Sequence, residues 1–126
     1  MSRHLLVRCK FEGATEQARE ELCRLLNVEM RRQVTPLGES FLFSSLGIDG
    51  AFYESSIGDH VKERRLSDYP FVLDLSLYAT LTGRMYSEVD VLHEIALFLA
   101  SFITSKLGWP TFVCTEEDIV MDEVNR

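Results

Sequence analysis

Apolar and polar residues alternate along the chain from Phe71 to Leu81. Phe71, Leu73, Leu75, Leu77, Ala79 and Leu81 fall on one face, and Val72, Asp74, Ser76, Tyr78 and Thr80 on the other. A period of two over this length predicts a strand with one buried face. Pro70 opens it and Thr82-Gly83 breaks it. The period then changes. Val89, Leu92, Ile95, Ala96, Leu99 and Ile103 form the stripe of a helix that should run to about Leu107. Ser87, with Asp90 three residues on, suits its N-terminus, while Lys106, Gly108 and Pro110 suit its end. Val91, Phe98 and Phe102 lie outside the stripe. A helix this apolar is either sandwiched between layers or part of an interface, and a homodimer through Phe98 and Phe102 is compatible with it. Thr111 to Thr115 reads as a short strand returning to the sheet.

The earlier part of the chain also opens with a strand and a helix, without an internal sequence repeat. Leu5 to Phe11 predicts a strand with Leu5, Val7, Cys9 and Phe11 on one face and Arg8 and Lys10 on the other. Thr15 can cap a helix from about Glu16 to Leu26, with Ala18, Leu22, Leu25 and Leu26 as its stripe and Asn27 as its stop. Val28 to Val34 reads equally as a strand or as more helix, and Pro36 and Gly38 mark a turn after it. Glu39–Leu46 and Ala51–Ser55 predict two strands, joined by a type I′ turn at Asp49-Gly50. His60 to Asp68 is expected to be a surface loop or one helical turn. Residues 116–126 are expected to form a short helix, an edge strand or a flexible acidic tail. The order predicts a single α+β domain over 1–126, with two helices on one face of a mostly antiparallel sheet of four to six strands. A ferredoxin-like variant is the nearest simple plan.

Composition narrows the setting. A chain of 126 residues with 46% hydrophobic and 26% charged residues can bury a core of its own. The start, Ser2-Arg3-His4, does not read as a signal peptide, and His93, Glu94 and Ser101 interrupt the apolar helix, so no membrane span is expected. Cys9, Cys23 and Cys114 lie far apart without CxxC spacing, which argues for reduced thiols and a cytoplasmic location. The net charge of −7 is unevenly spread: residues 85–126 hold two bases and eight acids. Glu116, Glu117, Asp118, Asp122 and Glu123 supply five of those acids. Such clustering repels nucleic acid and attracts basic partners.

Motifs for catalysis or metal binding are absent from the sequence. His93-Glu94 begins like a zinc-protease helix, but Leu97 stands where the second histidine ligand belongs. His60 has Glu63 three residues on, and His4 has no ligand-type neighbour in the sequence. No phosphate-binding glycine pattern or nucleophile elbow occurs. Neither a cofactor nor a metal is expected. Asp74 stands apart from the other acids, on a strand face shared with Ser76, Tyr78 and Thr80 that could line a ligand groove.

In size, mixed α and β plan and acidic C-terminal third, the chain resembles the small immunity proteins of bacterial toxin systems, including contact-dependent growth inhibition. The resemblance implies a cytoplasmic protein that is not an enzyme. It would neutralise a cognate toxin domain, often a basic nuclease, by stoichiometric binding. Glu116, Glu117, Asp118, Asp122 and Glu123 would then meet the toxin's Lys and Arg, with Asp49, Glu54 and Asp59 as a second acidic set. A different reading is a small ligand-binding regulatory domain with a pocket between Tyr78, His93 and the apolar helix. An enzyme using Asp74, His60 or His93 is a third.

Overall fold

The N-terminal strand lies inside the sheet, with a neighbour on each side. The structure is a computed structural model, which describes residues 4–36, 38–45, 47–55, 60–61, 64–65, 68–77, 88–115 and 120–124. Its elements are β1 (His4–Cys9), α1 (Thr15–Leu26), β2 (Arg31–Thr35), β3 (Gly38–Ser45) and β4 (Ile48–Glu54), then β5 (His60–Val61) and β6 (Arg64–Arg65). β7 (Phe71–Leu77), α2 (Glu88–Leu107), β8 (Thr111–Thr115) and β9 (Val120–Val124) complete the order. The main sheet runs β2-β3-β4-β7-β1-β8-β9, and every neighbouring pair is antiparallel. The architecture is α+β. Six of the strands make the sheet that the sequence predicts at its upper count, and β9 adds a seventh at one edge. β5 and β6 pair with each other in a separate two-stranded sheet, where the sequence predicts a loop or a helical turn.

Alternation assigns each strand residue to a face. Leu5, Val7 and Cys9 of β1 join Phe52, Phe71, Leu73 and Leu75 in one core cluster with Ala18 and Leu22 of α1. Leu92, Ala96, Ala100 and Ile103 of α2 belong to the same cluster. A second, smaller cluster holds Leu6, Val72, Phe112 and Cys114, with Tyr53 and Tyr69 packed against it. Arg8 shares the alternation of Leu6 and stands opposite Val72 and Phe112. It is 5% exposed, so the face predicted to be polar is buried at this end. Burial also pushes the Cys9 thiol up to about 12.

The helix ends follow their residues. Asn27 adopts the left-handed conformation at φ 54° and its N–H donates to the Cys23 carbonyl. Thr15 does not act as the side-chain cap: Ala14 is the N-cap residue, and the Thr15 hydroxyl donates to Glu54 of β4 instead. Ser87, the predicted cap of α2, lies outside the described residues. At the far end of α2, Thr104 donates to the Trp109 carbonyl at 2.8 Å, and Thr111 donates to the Ala100 carbonyl at 3.2 Å. The two hydroxyls are 3.0 Å apart and both residues are buried. This network fixes where β8 leaves the helix.

The predicted turn at Asp49-Gly50 does not occur: both residues are inside β4. Ser45 pairs with Ile48, so the hairpin turns between these two, with Gly47 at φ 82°. The apolar pattern decides the register. Phe41 stands opposite Phe52, with ring centroids 6.4 Å apart, and Phe43 stands opposite Gly50. A Cβ built on Gly50 would come within 2.2 Å of the Phe43 ring. That glycine therefore serves close approach and not a turn.

Candidate functional site

The cluster of Leu6, Val72 and Phe112 leaves the other end of its sheet face available. There a groove of about 590 Å³ opens across β1, β7, β4 and β3. Cross-strand register builds it. His4 of β1 stands opposite Ser76 of β7, Ser76 stands opposite Asp49 of β4, and Asp49 stands opposite Ser44 of β3. One row of four strands thus reads His, Ser, Asp, Ser. The adjacent row brings Asp74, Ala51 and Leu42. Glu29 and Arg31, at the start of β2, form the far wall.

His4 Nδ1 lies 2.7 Å from Asp74 Oδ1, with the two side chains 35% and 24% exposed. These residues are 70 positions apart in the chain, and strand pairing alone brings them together. The expectation that His4 lacks a ligand-type neighbour is therefore corrected. The sequence-predicted row of Asp74 and Ser76 does line a groove, whereas Tyr78 and Thr80 lie outside the described residues. Three carboxylates, Glu29, Asp49 and Asp74, face one guanidinium, Arg31, around the groove. Three carboxylates against one guanidinium favour a cationic occupant. Among the described residues no group of three or more His, Cys, Asp or Glu is placed to hold a metal ion.

Four of the predicted partner-binding acids, Asp49, Glu54, Asp122 and Glu123, are among the described residues. Asp49 is exposed in the groove. Glu54, five residues on, falls on the opposite face of β4 and accepts from Thr15. Asp122 and Glu123 belong to β9, four strands from β4 and so about 19 Å away along the sheet. Asp59, Glu116, Glu117 and Asp118 lie outside the described residues. Sequence reasoning missed His4, Glu29 and Arg31, because their chemistry depends on strand order.

A second cavity, of about 440 Å³, is apolar and lies between the end of α1 and α2. Leu26, Val28, Ile48, Ile95 and Phe98 line it, and Glu94 is at its wall. It is not where the regulatory reading puts a pocket, since His93 is not among its lining residues and Tyr78 is outside the described residues. No helix among the described residues is long and apolar enough to cross a membrane. Comparison with protein-family models, with curated proteins and with solved structures gave no match.

Proposed function

We propose that the chain is an immunity protein that binds a cognate bacterial toxin domain one-to-one and blocks it by occupancy, without turnover. The observation that carries this reading is the acidic groove: Asp49 and Asp74, together with Glu29, outnumber Arg31 across an accessible sheet face. Such a surface accepts a Lys or Arg side chain from a basic partner, and a basic nuclease presents many. The chain's net charge of −7 favours encounter with the same partner. A cytoplasmic site of action fits three cysteines set apart in β1, α1 and β8, all free thiols. The ferredoxin-like reading of the fold has support of its own. The strand order β8-β1-β7-β4, with a helix after β1 and another after β7, supports a split β-α-β plan with a hairpin added at one edge and β9 at the other. Shared membership of one core cluster supports placing both helices on one face.

Co-expression with the products of neighbouring genes, followed by size-exclusion chromatography, tests the reading. A one-to-one complex with a basic domain is expected. In that complex Asp49→Lys should weaken binding at least about tenfold, because a like charge replaces an attraction at an accessible position. Loss of protection in a growth competition should follow. Absence of any complex, or an Asp49→Lys variant that protects fully, overturns the reading. Unchanged protection after converting Glu116, Glu117 and Asp118 to Lys would remove that segment and leave the groove.

The groove's size favours a second reading, as a small ligand-binding regulatory domain. About 590 Å³ is within the range of small-molecule sites. A polar, cationic metabolite would suit its lining. A thermal shift with such metabolites, abolished by Asp49→Lys, would support this reading over the first.

A further inference from the structure

The exposed side of α2 carries a pattern that matches itself. Glu94, Phe98, Phe102 and Lys106 follow one another at intervals of four residues, so they form one ridge along the helix. Glu94 and Lys106 are exposed, and Phe98 is 64% exposed. Phe98 and Phe102 stack with ring centroids 5.8 Å apart and planes 12° apart. An acid, two stacked rings and a base thus span about 18 Å of helix.

We infer that this ridge is the contact surface for a second copy of the chain, in an antiparallel α2–α2 pair. Place a two-fold axis midway between Phe98 and Phe102. Each Phe98 then meets Phe102 of the second copy, and each Glu94 meets Lys106 of the second copy. The Glu94–Lys106 pair thus forms twice, once at each end of a four-ring aromatic centre. A two-fold contact requires a self-complementary surface, and this ridge is one. Ridges at four-residue spacing pack against each other with axes crossing at about 50°, the commonest helix packing class. Exposed Ser101, beside the rings, is small enough to let the two backbones approach. Charge complementarity selects the occupant: a parallel helix pair would set Glu94 against Glu94 and Lys106 against Lys106. Phe98 and Glu94 also line the apolar cavity, so the second copy packs against part of its wall.

One helix per copy makes an interface at the low end of the size classes, so the dimer is weak. Sedimentation equilibrium of the full chain from about 5 to about 500 µM reads that range. A reversible monomer–dimer equilibrium is expected. Phe98→Ser should abolish it without changing the far-ultraviolet circular dichroism, since the residue is exposed. Glu94→Lys alone and Lys106→Glu alone should each weaken self-association about tenfold, because each converts two attractions into two repulsions. An equimolar mixture of these two variants should recover the wild-type affinity as a heterodimer, since the introduced lysine then faces the introduced glutamate. A chain that stays monomeric at the highest concentration overturns the inference. So does a dimer that neither charge variant weakens, or a mixture in which the two variants fail to pair.

Discussion

Replacing Thr104 by Val tests how α2 is tied to β8. Valine keeps the side-chain shape and removes only the hydroxyl. That hydroxyl is 2.8 Å from the Trp109 carbonyl and 3.0 Å from the Thr111 hydroxyl, in a site where Thr104 is 5% and Thr111 1% exposed. A typical hydrogen bond contributes about 1 kcal/mol, and a buried acceptor stripped of its donor costs about 1–3 kcal/mol. We take about 2 kcal/mol for Thr104→Val. With 126 residues and about 2.1 cal/mol/K per residue, the unfolding entropy is about 0.26 kcal/mol/K. The melting temperature should therefore fall by about 7–8 °C. Thr104→Ser keeps the hydroxyl and loses a methyl group, at about 1 kcal/mol. Urea denaturation of the wild type, both single variants, Thr111→Val and the Thr104→Val/Thr111→Val double variant provides the assay, with the slope checked for constancy. The double variant should cost less than the sum of its parts by at least about 0.5 kcal/mol, because the two hydroxyls contact each other. A Thr104→Val variant within about 0.5 kcal/mol of wild type would refute the reasoning, as would a serine variant equal to the valine one.

Gly50→Ala should destabilise by about 1–2 kcal/mol, because the new Cβ lies 2.2 Å from the Phe43 ring. In a Phe43→Ala background that cost should largely vanish, and strict additivity in urea denaturation would show that the ring does not set it. The raised Cys9 pKa gives a pH effect of stated sign. The unfolded thiol ionises near its ordinary 9.0 while the native one holds its proton to about 12, so the unfolded state releases its proton first and stability falls as pH rises above about 9. By pH ~10 the loss is on the order of 1 kcal/mol relative to neutral pH. Cys9→Ala should be less stable at neutral pH but lack this part of the decline, and a parallel pH profile would contradict the assignment.

Local signals in the sequence located most elements. Alternation after Pro70 places β7, and Lys106, Gly108 and Pro110 end α2 at Leu107, where the sequence predicts it. Asn27 stops α1 as expected. The failures share one physical cause. Asp49-Gly50 has strong turn chemistry, yet the pairing of Phe41 with Phe52 and the fit of Phe43 over Gly50 win over it. Those preferences are contacts across strands, and nothing within four residues of Gly50 announces them. The candidate site was legible only in part for the same reason. Asp74 and Ser76 were visible as a polar row, but His4 joins them only because β1 lies beside β7. Arg8 alternated correctly and was still buried, because its face there is occupied by Val72 and Phe112.

The position of β1 has a consequence for the order of synthesis. Its hydrogen-bonding neighbours are residues 71–77 on one side and 111–115 on the other. While the chain is being made, the strand that emerges early has no neighbour on either side for most of translation. Meanwhile β2, β3 and β4 can already zip together as consecutive hairpins. Leu5, Val7 and Cys9 must therefore wait, unpaired and apolar, until residue 77 has left the ribosome, and with one edge bare until residue 115 has followed. This interval is when a holding chaperone has most to protect, and a ribosome stalled before β8 would release a chain whose central strand still offers one bare edge to its neighbours.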